Sequence, residues 1–229
     1  MLHSFTQSDG TDLRGGLIAD AAGSLYGTTL NGGANGYGTV FQLDPLGTLT
    51  VLHNFTLSDG RFPFAGLIAD AAGNLYGTTQ LGGASDGGTV FQLTPSGTLN
   101  VLHSFTGGSD GYRPEADLIA DAAGNLYGTT SGGGAGRGTV FQLTPSGTLT
   151  PLYSFTGGSD GWRPEAGLIA DAAGNLYGTT LMGGATASCP GGCGTVFELT
   201  VSASFTGGQA RRNMNMKARH QGVPRTGDR

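Results

Sequence analysis

Four loops carry the residue types that could do chemistry: DGTDLRGG at 9–16, DGRFPFAG at 59–66, DGYRPEAD at 110–117 and DGWRPEAG at 160–167. Phe62, Tyr112 and Trp162 stand in them beside Arg113, Arg163, Glu115 and Glu165. Flat rings offer contact area at little entropic cost and polar neighbours fix orientation, so this set would stack a sugar or hold a peptide. The plainer reading is that the rings plug gaps between structural units and each arginine pairs with its nearby glutamate. A second group of loops, including LNGGANGYG and SGGGAGRG, adds Tyr37 and Arg137.

Asp20, Asp70, Asp121 and Asp171 recur once per unit. If the segments carrying them line a central axis, four carboxylates would surround Ca2+ or another divalent cation; the alternative is that each caps its own hairpin. Asp9, Asp59, Asp110 and Asp160 lie in SDG turns without the alternating Asp/Asn pattern of a calcium loop, and read as turn caps. His3, His53 and His103 recur on one outer segment, with Tyr153 as the fourth copy, so they stand a unit apart and cannot converge. Glu115 and Glu165 are also one unit apart, too wide for a carboxylate pair. No catalytic constellation follows, and the expectation is a non-enzyme without a required cofactor. Cys189 and Cys193, in SCPGGCG, read as a local disulfide, which if oxidised implies export. A zinc site would need two more ligands and finds only His220 within range.

The elements that position these residues repeat. GLIADAAGNLYGTT occurs at 66–79 and 167–180, with near copies at 16–29 and 117–130, and GTVF begins at 38, 88, 138 and 194. A period of about 50 residues with four strands per unit is that of a propeller blade. The second unit predicts strands at 67–70, 75–79, 89–94 and 99–106, separated by an AAGN turn, a glycine-rich loop and a PSG turn. The expected fold is an all-β propeller-like ring of four four-stranded antiparallel blades, closed alone or part of a larger ring. The repeat domain covers 1–206, with units at about 16–65, 66–116, 117–166 and 167–206. Residues 1–6 are a candidate closing strand, and VSASFTGG near the C-terminus is its rival. What repeats unit by unit is scaffold, whereas the variable loops after the second and fourth strands share one face, where binding surfaces commonly lie.

Composition sets limits on partners. Glycine makes up 45 of 229 residues and charged residues only 12 %, which fits many turns and short strands. Residues 1–206 carry five arginines against fifteen acids, net −10, and no lysine, while 207–229 carry net +5. An acidic body argues against a nucleic-acid groove, and the basic tail, lacking periodicity, reads as disordered. No apolar run reaches the roughly 18 residues of a membrane span, and MLHSFTQSDG lacks the pattern of a signal peptide.

DAAGNLYGTT, GTVFQLTPSGTL and HSFTGGSDG, repeated along residues 1 to about 208, resemble the bacterial tandem-repeat proteins named GloVer, after Gloeobacter and Verrucomicrobia, described as choice-of-anchor surface proteins. The hairpin is also similar to blades of NHL and SMP-30-like propellers, some of which are enzymes. The first resemblance implies an extracellular or surface module without established activity, and a glycan or protein ligand is the expected partner. The second implies, as the alternative, a metal-dependent hydrolase or lyase with a cation on the axis. The absence of a leader or anchor and the small number of units make a truncated member, without a ligand of its own, a further expectation. Self-association would then complete a larger ring.

Overall fold

The computed structural model describes residues 1–184 and 191–201, together with the short strand Asn215–Lys217. Among the described residues there is no helix, and the strands form four separate antiparallel sheets. The first holds β1 (Ile18–Ala19), β2 (Leu25–Thr29), β3 (Thr39–Leu43) and β4 (Leu49–Asn54); the second β5 (Ile68–Ala69), β6 (Leu75–Thr79), β7 (Thr89–Leu93) and β8 (Leu99–Ser104). The third holds β9 (Ile119–Ala120), β10 (Leu126–Thr130), β11 (Thr139–Leu143) and β12 (Leu149–Ser154); the fourth β13 (Ile169–Ala170), β14 (Leu176–Thr180), β15 (Thr195–Thr200) and β16 (Asn215–Lys217). Strands pair in chain order within every sheet, so each unit is one blade and the fold is propeller-like, as the period predicts.

The second strand matches its expected bounds, and the others are shorter. The first strand of the second blade ends at Ala69 because Asp70 leaves the ladder to bond its own turn: its Oδ1 accepts the Ala72 and Asn74 N–H groups at 2.9 Å each. The fourth strand ends at Ser104, where the chain turns towards the next blade. Each complete fourth strand carries a register shift, between Val140 and Phe141 on the partner strand in the third blade. Pro151 sits opposite Phe141 on that edge strand, a place where a missing N–H interrupts no central ladder.

Alternation along LYGTT and TVFQL gives every blade two apolar faces. In the third blade Leu118, Leu126, Phe141 and Leu143 face backward and pack with Val90 and Phe105 from the preceding repeat. Tyr127, Val140 and Leu152 face forward and pack with Leu168, Leu176, Phe197 and Leu199. Gly128 is needed inside β10: a Cβ there would stand 2.7 Å from the Phe141 ring. Phe55, Phe105 and Phe155, each leading from a fourth strand into the next blade, are fully buried and lie edge-on to Phe91, Phe141 and Phe197 at 5.1–5.3 Å. Covering two oily faces with further copies of the same sheet is the reason for the repetition.

The strand beside β15 is β16, which pairs with Glu198–Thr200. Residues 1–6, the candidate closing strand, carry no strand. The rival segment VSASFTGG lies outside the described residues beyond Val201, as does the basic tail apart from Asn215–Lys217, which pair with Glu198–Thr200.

Candidate functional site

The two classes of variable loop are stitched together by backbone hydrogen bonds and so share one face. Thr11 bridges Asn31, Arg61 bridges Leu81, Tyr112 bridges Gly132 and Trp162 bridges Met182. Each bridge joins the loop entering a blade to the loop after that blade's second strand. The next residue, Asp12, Phe62, Arg113 or Arg163, has a positive φ of 62°, 60°, 58° or 57°. Such backbone persists only where its surroundings fix it. The Phe62, Arg113 and Arg163 N–H groups donate to the Tyr37, Gly87 and Arg137 carbonyls of the preceding blade at 2.9–3.0 Å. Their carbonyls accept from Gln80, Ser131 and Leu181 at 2.9–3.0 Å.

These bonds hold guanidinium–aromatic pairs at successive junctions. Arg61 lies over Phe62 at 5.1 Å, with Tyr37 edge-on to the same ring at 6.4 Å. Arg113 lies over Tyr112 at 5.3 Å, and Arg137 over Trp162 at 4.4 Å. The Trp162 indole N–H also reaches the Gly191 carbonyl at 3.4 Å. All four predicted aromatics are half-buried. Phe62 is not the structural counterpart of Tyr112 and Trp162: the bridges equate it with Arg113, so ring and guanidinium exchange places between the second and third blades. Arg163 and Glu165 form an ion pair at 2.6 Å, as the plainer reading expects. Glu115 instead accepts a hydrogen bond from Gln80 of the preceding blade.

The opposite set of candidates is not gathered. Asp70 Oδ2 accepts from Asn74 Nδ2 at 2.7 Å and from the Tyr76 hydroxyl at 2.9 Å, completing a network within one hairpin. Asp20, Asp121 and Asp171 are held in the same way by Tyr26, Tyr127 and Tyr177. Burial alone would raise the Asp70 carboxyl, but hydrogen bonds from Asn74 and Tyr76 outweigh it and hold the group below the usual carboxylate range. Among the described residues no three His, Cys, Asp or Glu side chains are placed to hold a metal. Gln42, Gln92 and Gln142 donate to the same tyrosine oxygens at 2.9–3.0 Å, whereas in the fourth blade Glu198 stands in their place and accepts from the Tyr177 hydroxyl at 3.3 Å.

Sequence reasoning missed the partners of the recurrent histidines. His3, His53 and His103 bond Asp9, Asp59 and Asp110 at 2.8–3.1 Å, and Tyr153 donates to Asp160 at 3.0 Å. These aspartates also accept the Thr6, Thr56, Thr106 and Thr156 N–H groups, so they cap the turn and clamp the strand end together. Recurrence of His or Tyr six or seven residues before each SDG aspartate is the signal that would have found them. Asp117, which stands where the other repeats have glycine, accepts the Gly66 N–H at 2.6 Å and ties two blades together. Cys193 is disulfide-bonded; Cys189, the other half of the expected pair, lies outside the described residues.

Burial and the hydrogen bond to Asp160 push the Tyr153 phenol from 10.0 up to about 12. The raised value means that the protonated phenol stabilises the fold fully below pH 10 and that this contribution disappears as pH rises through about 12. Tyr153→Phe is therefore expected to cost about 1 kcal/mol at neutral pH. It should also flatten the fall in melting temperature over that alkaline window. An unchanged alkaline profile would show that the pair contributes nothing to stability.

Comparison with known proteins locates the pattern. The model of the Gloeobacter/Verrucomicrobia repeat matches residues 1–136 and 98–224. No curated protein matches. The extracellular domain of BT4673 from B. thetaiotaomicron, described as a one component system, is 14 % identical with a TM-score of 0.53 over 91 % of this chain, which spans 22 % of that protein. A protein from Bacteroides uniformis described as a 6-phosphogluconolactonase is 17 % identical with a TM-score of 0.50 over 85 % of this chain, which spans 53 % of it. Both are likenesses of fold.

Proposed function

The chain belongs to the Gloeobacter/Verrucomicrobia repeat family, and from that premise we propose that it is a non-catalytic, surface-displayed repeat module that binds a glycan through its variable-loop face. The observation that carries this reading is the row of guanidinium–aromatic pairs at successive blade junctions, on backbone held by hydrogen bonds from both sides. A ring already fixed by its neighbours loses little freedom when a pyranose stacks on it, and Arg, Glu and Gln beside it offer donors and acceptors for hydroxyl groups. A ligand that itself repeats suits a site that recurs blade by blade. The recurring residues have scaffold work: Asp and Tyr close all four hairpins, joined by Gln in three units and Glu198 in the fourth, and three histidines and Tyr153 clamp the strand ends. A disulfide-bonded Cys193 fits an oxidising compartment, and one protein sharing the fold is an extracellular domain.

Binding of the full chain to a broad glycan array, with Trp162→Ala and Tyr112→Ala beside it, tests the reading. A bound glycan whose affinity falls tenfold or more on Trp162→Ala is the expected result, about 1.4 kcal/mol of contact. No glycan bound, or binding indifferent to both changes, would overturn it.

A further inference from the structure

Among the described residues, the first and last blades each leave one apolar face open. Val40, Val90 and Val140 on the forward faces of the first three blades are 0 % exposed, whereas their counterpart Val196 is 69 % exposed, as is Ile169 of the same blade. On the backward faces Leu67, Leu118 and Leu168 are 2–3 % exposed, whereas Leu17 of the first blade is 54 % exposed. Every junction inside the chain joins one forward face to one backward face. The two open faces are therefore complementary by the same packing that the chain uses three times over.

A second, independent observation concerns the fourth sheet. In the third blade the start of β11 pairs with the end of β12, Thr139 opposite Ser154 and Val140 opposite Tyr153. In the fourth blade β16 covers only Glu198–Thr200, and among the described residues no strand pairs with the outer edge of Thr195–Phe197. The sequence that forms this strand end in other repeats recurs at the start of the chain: LHSF at 2–5 is the counterpart of LHSF at 102–105 and LYSF at 152–155. Leu2 is 67 % exposed and belongs to no strand. Phe5 nevertheless lies edge-on to Phe41 at 4.9 Å, as Phe105 does to Phe141. Residues 2–5 thus already lie on the first blade where the last strand of a preceding blade would enter.

We propose that a second copy of this chain docks head to tail on the first, its first blade seated on Val196 and Ile169 and its residues 2–4 extending the fourth sheet along Thr195–Phe197. The repeat register places His3 of the second copy opposite Val196 and Ser4 opposite Thr195. The contact is heterologous, so two copies close a ring if the blade angles allow it and otherwise form a longer array. It uses the faces of the blades and not the loop rim, and so stands apart from glycan binding.

Sedimentation velocity of the full chain, alone and as Val196→Asp and Leu17→Asp, tests this. The unmodified chain is expected to sediment as two or more copies, with a mass that falls on dilution. Each variant alone should sediment as a single chain, because each has lost one of the two faces. Their equimolar mixture should form a two-chain species, since Val196→Asp keeps an intact backward face and Leu17→Asp an intact forward face. That recovery also shows both variants to be folded, in keeping with side chains more than half exposed in one copy. A single chain at every concentration would overturn the proposal, whether a further part of the chain or nothing covers Val196. So would variants that assemble like the original, or a mixture that stays dissociated.

Discussion

Replacing Phe105 by alanine is expected to destabilise the chain by about 3–5 kcal/mol, while the same change at Phe5 costs about 1 kcal/mol. Phe105 is 0 % exposed and sits among Val90, Leu118, Leu126 and Phe141 at the seam between the second and third blades. The Phe141 ring meets it edge-on at 5.3 Å and the His103 ring at 4.9 Å, so truncation leaves a cavity that rigid neighbours on three sides cannot refill. Phe5 makes the corresponding contact to Phe41 but is half-buried, because among the described residues no blade covers its other side. Chemical denaturation of the two variants measures the difference directly. In a repeat array each unit is held by its neighbours, so the Phe105 change should also broaden the transition by weakening the coupling between the two halves. Equal costs at the two sites would mean that the blades do not rely on one another's faces.

Much of this was legible in the sequence because repetition and alternation act locally. The 50-residue period, the hairpin after each Asp and the span of the second strand depend on residues that are near one another in the chain, and Leu75–Thr79 formed as expected. The candidate rim was only partly legible. Aligning loops by aromatic type places Phe62 with Tyr112 and Trp162, but backbone conformation decides equivalence, and the positive φ at Phe62 matches that at Arg113. Stacking of Arg137 on Trp162 joins residues from adjoining repeats, a contact that no spacing rule within one unit predicts. The four hairpin aspartates show the reverse: their ring-like recurrence suggested a shared cation, whereas Asn74, Tyr76 and the turn amides satisfy both oxygens of Asp70 where it stands. Open end faces were invisible because Val196 and Leu17 lie in the same repeated motifs as their buried counterparts and differ only in that, among the described residues, no blade packs on them.

Gly111→Ala, which adds a single methyl group, is expected to cost about 4 kcal/mol. Gly111 has φ of +110°, outside the range an alanine adopts without strain, and its absent Cβ would lie 2.4 Å from Thr130 Oγ1. That oxygen cannot step aside cheaply. It donates to the Gly132 carbonyl at 2.8 Å, meets Thr139 Oγ1 at 2.8 Å and accepts the Thr139 N–H at 3.1 Å, all in a site closed to water. Displacing it leaves a buried amide and hydroxyl without their bonds, on top of the steric strain. Gly107→Ala separates the two contributions, because Gly107 also has a positive φ, +81°, but has nothing within 4 Å of the added carbon. It is expected to cost about 1 kcal/mol, the backbone part alone. Melting curves of the two variants therefore isolate the Thr130–Thr139 junction: a drop at Gly111→Ala no larger than at Gly107→Ala would show that the paired threonines yield, and that the aspartate–glycine turn is not what locks each entering loop onto its blade.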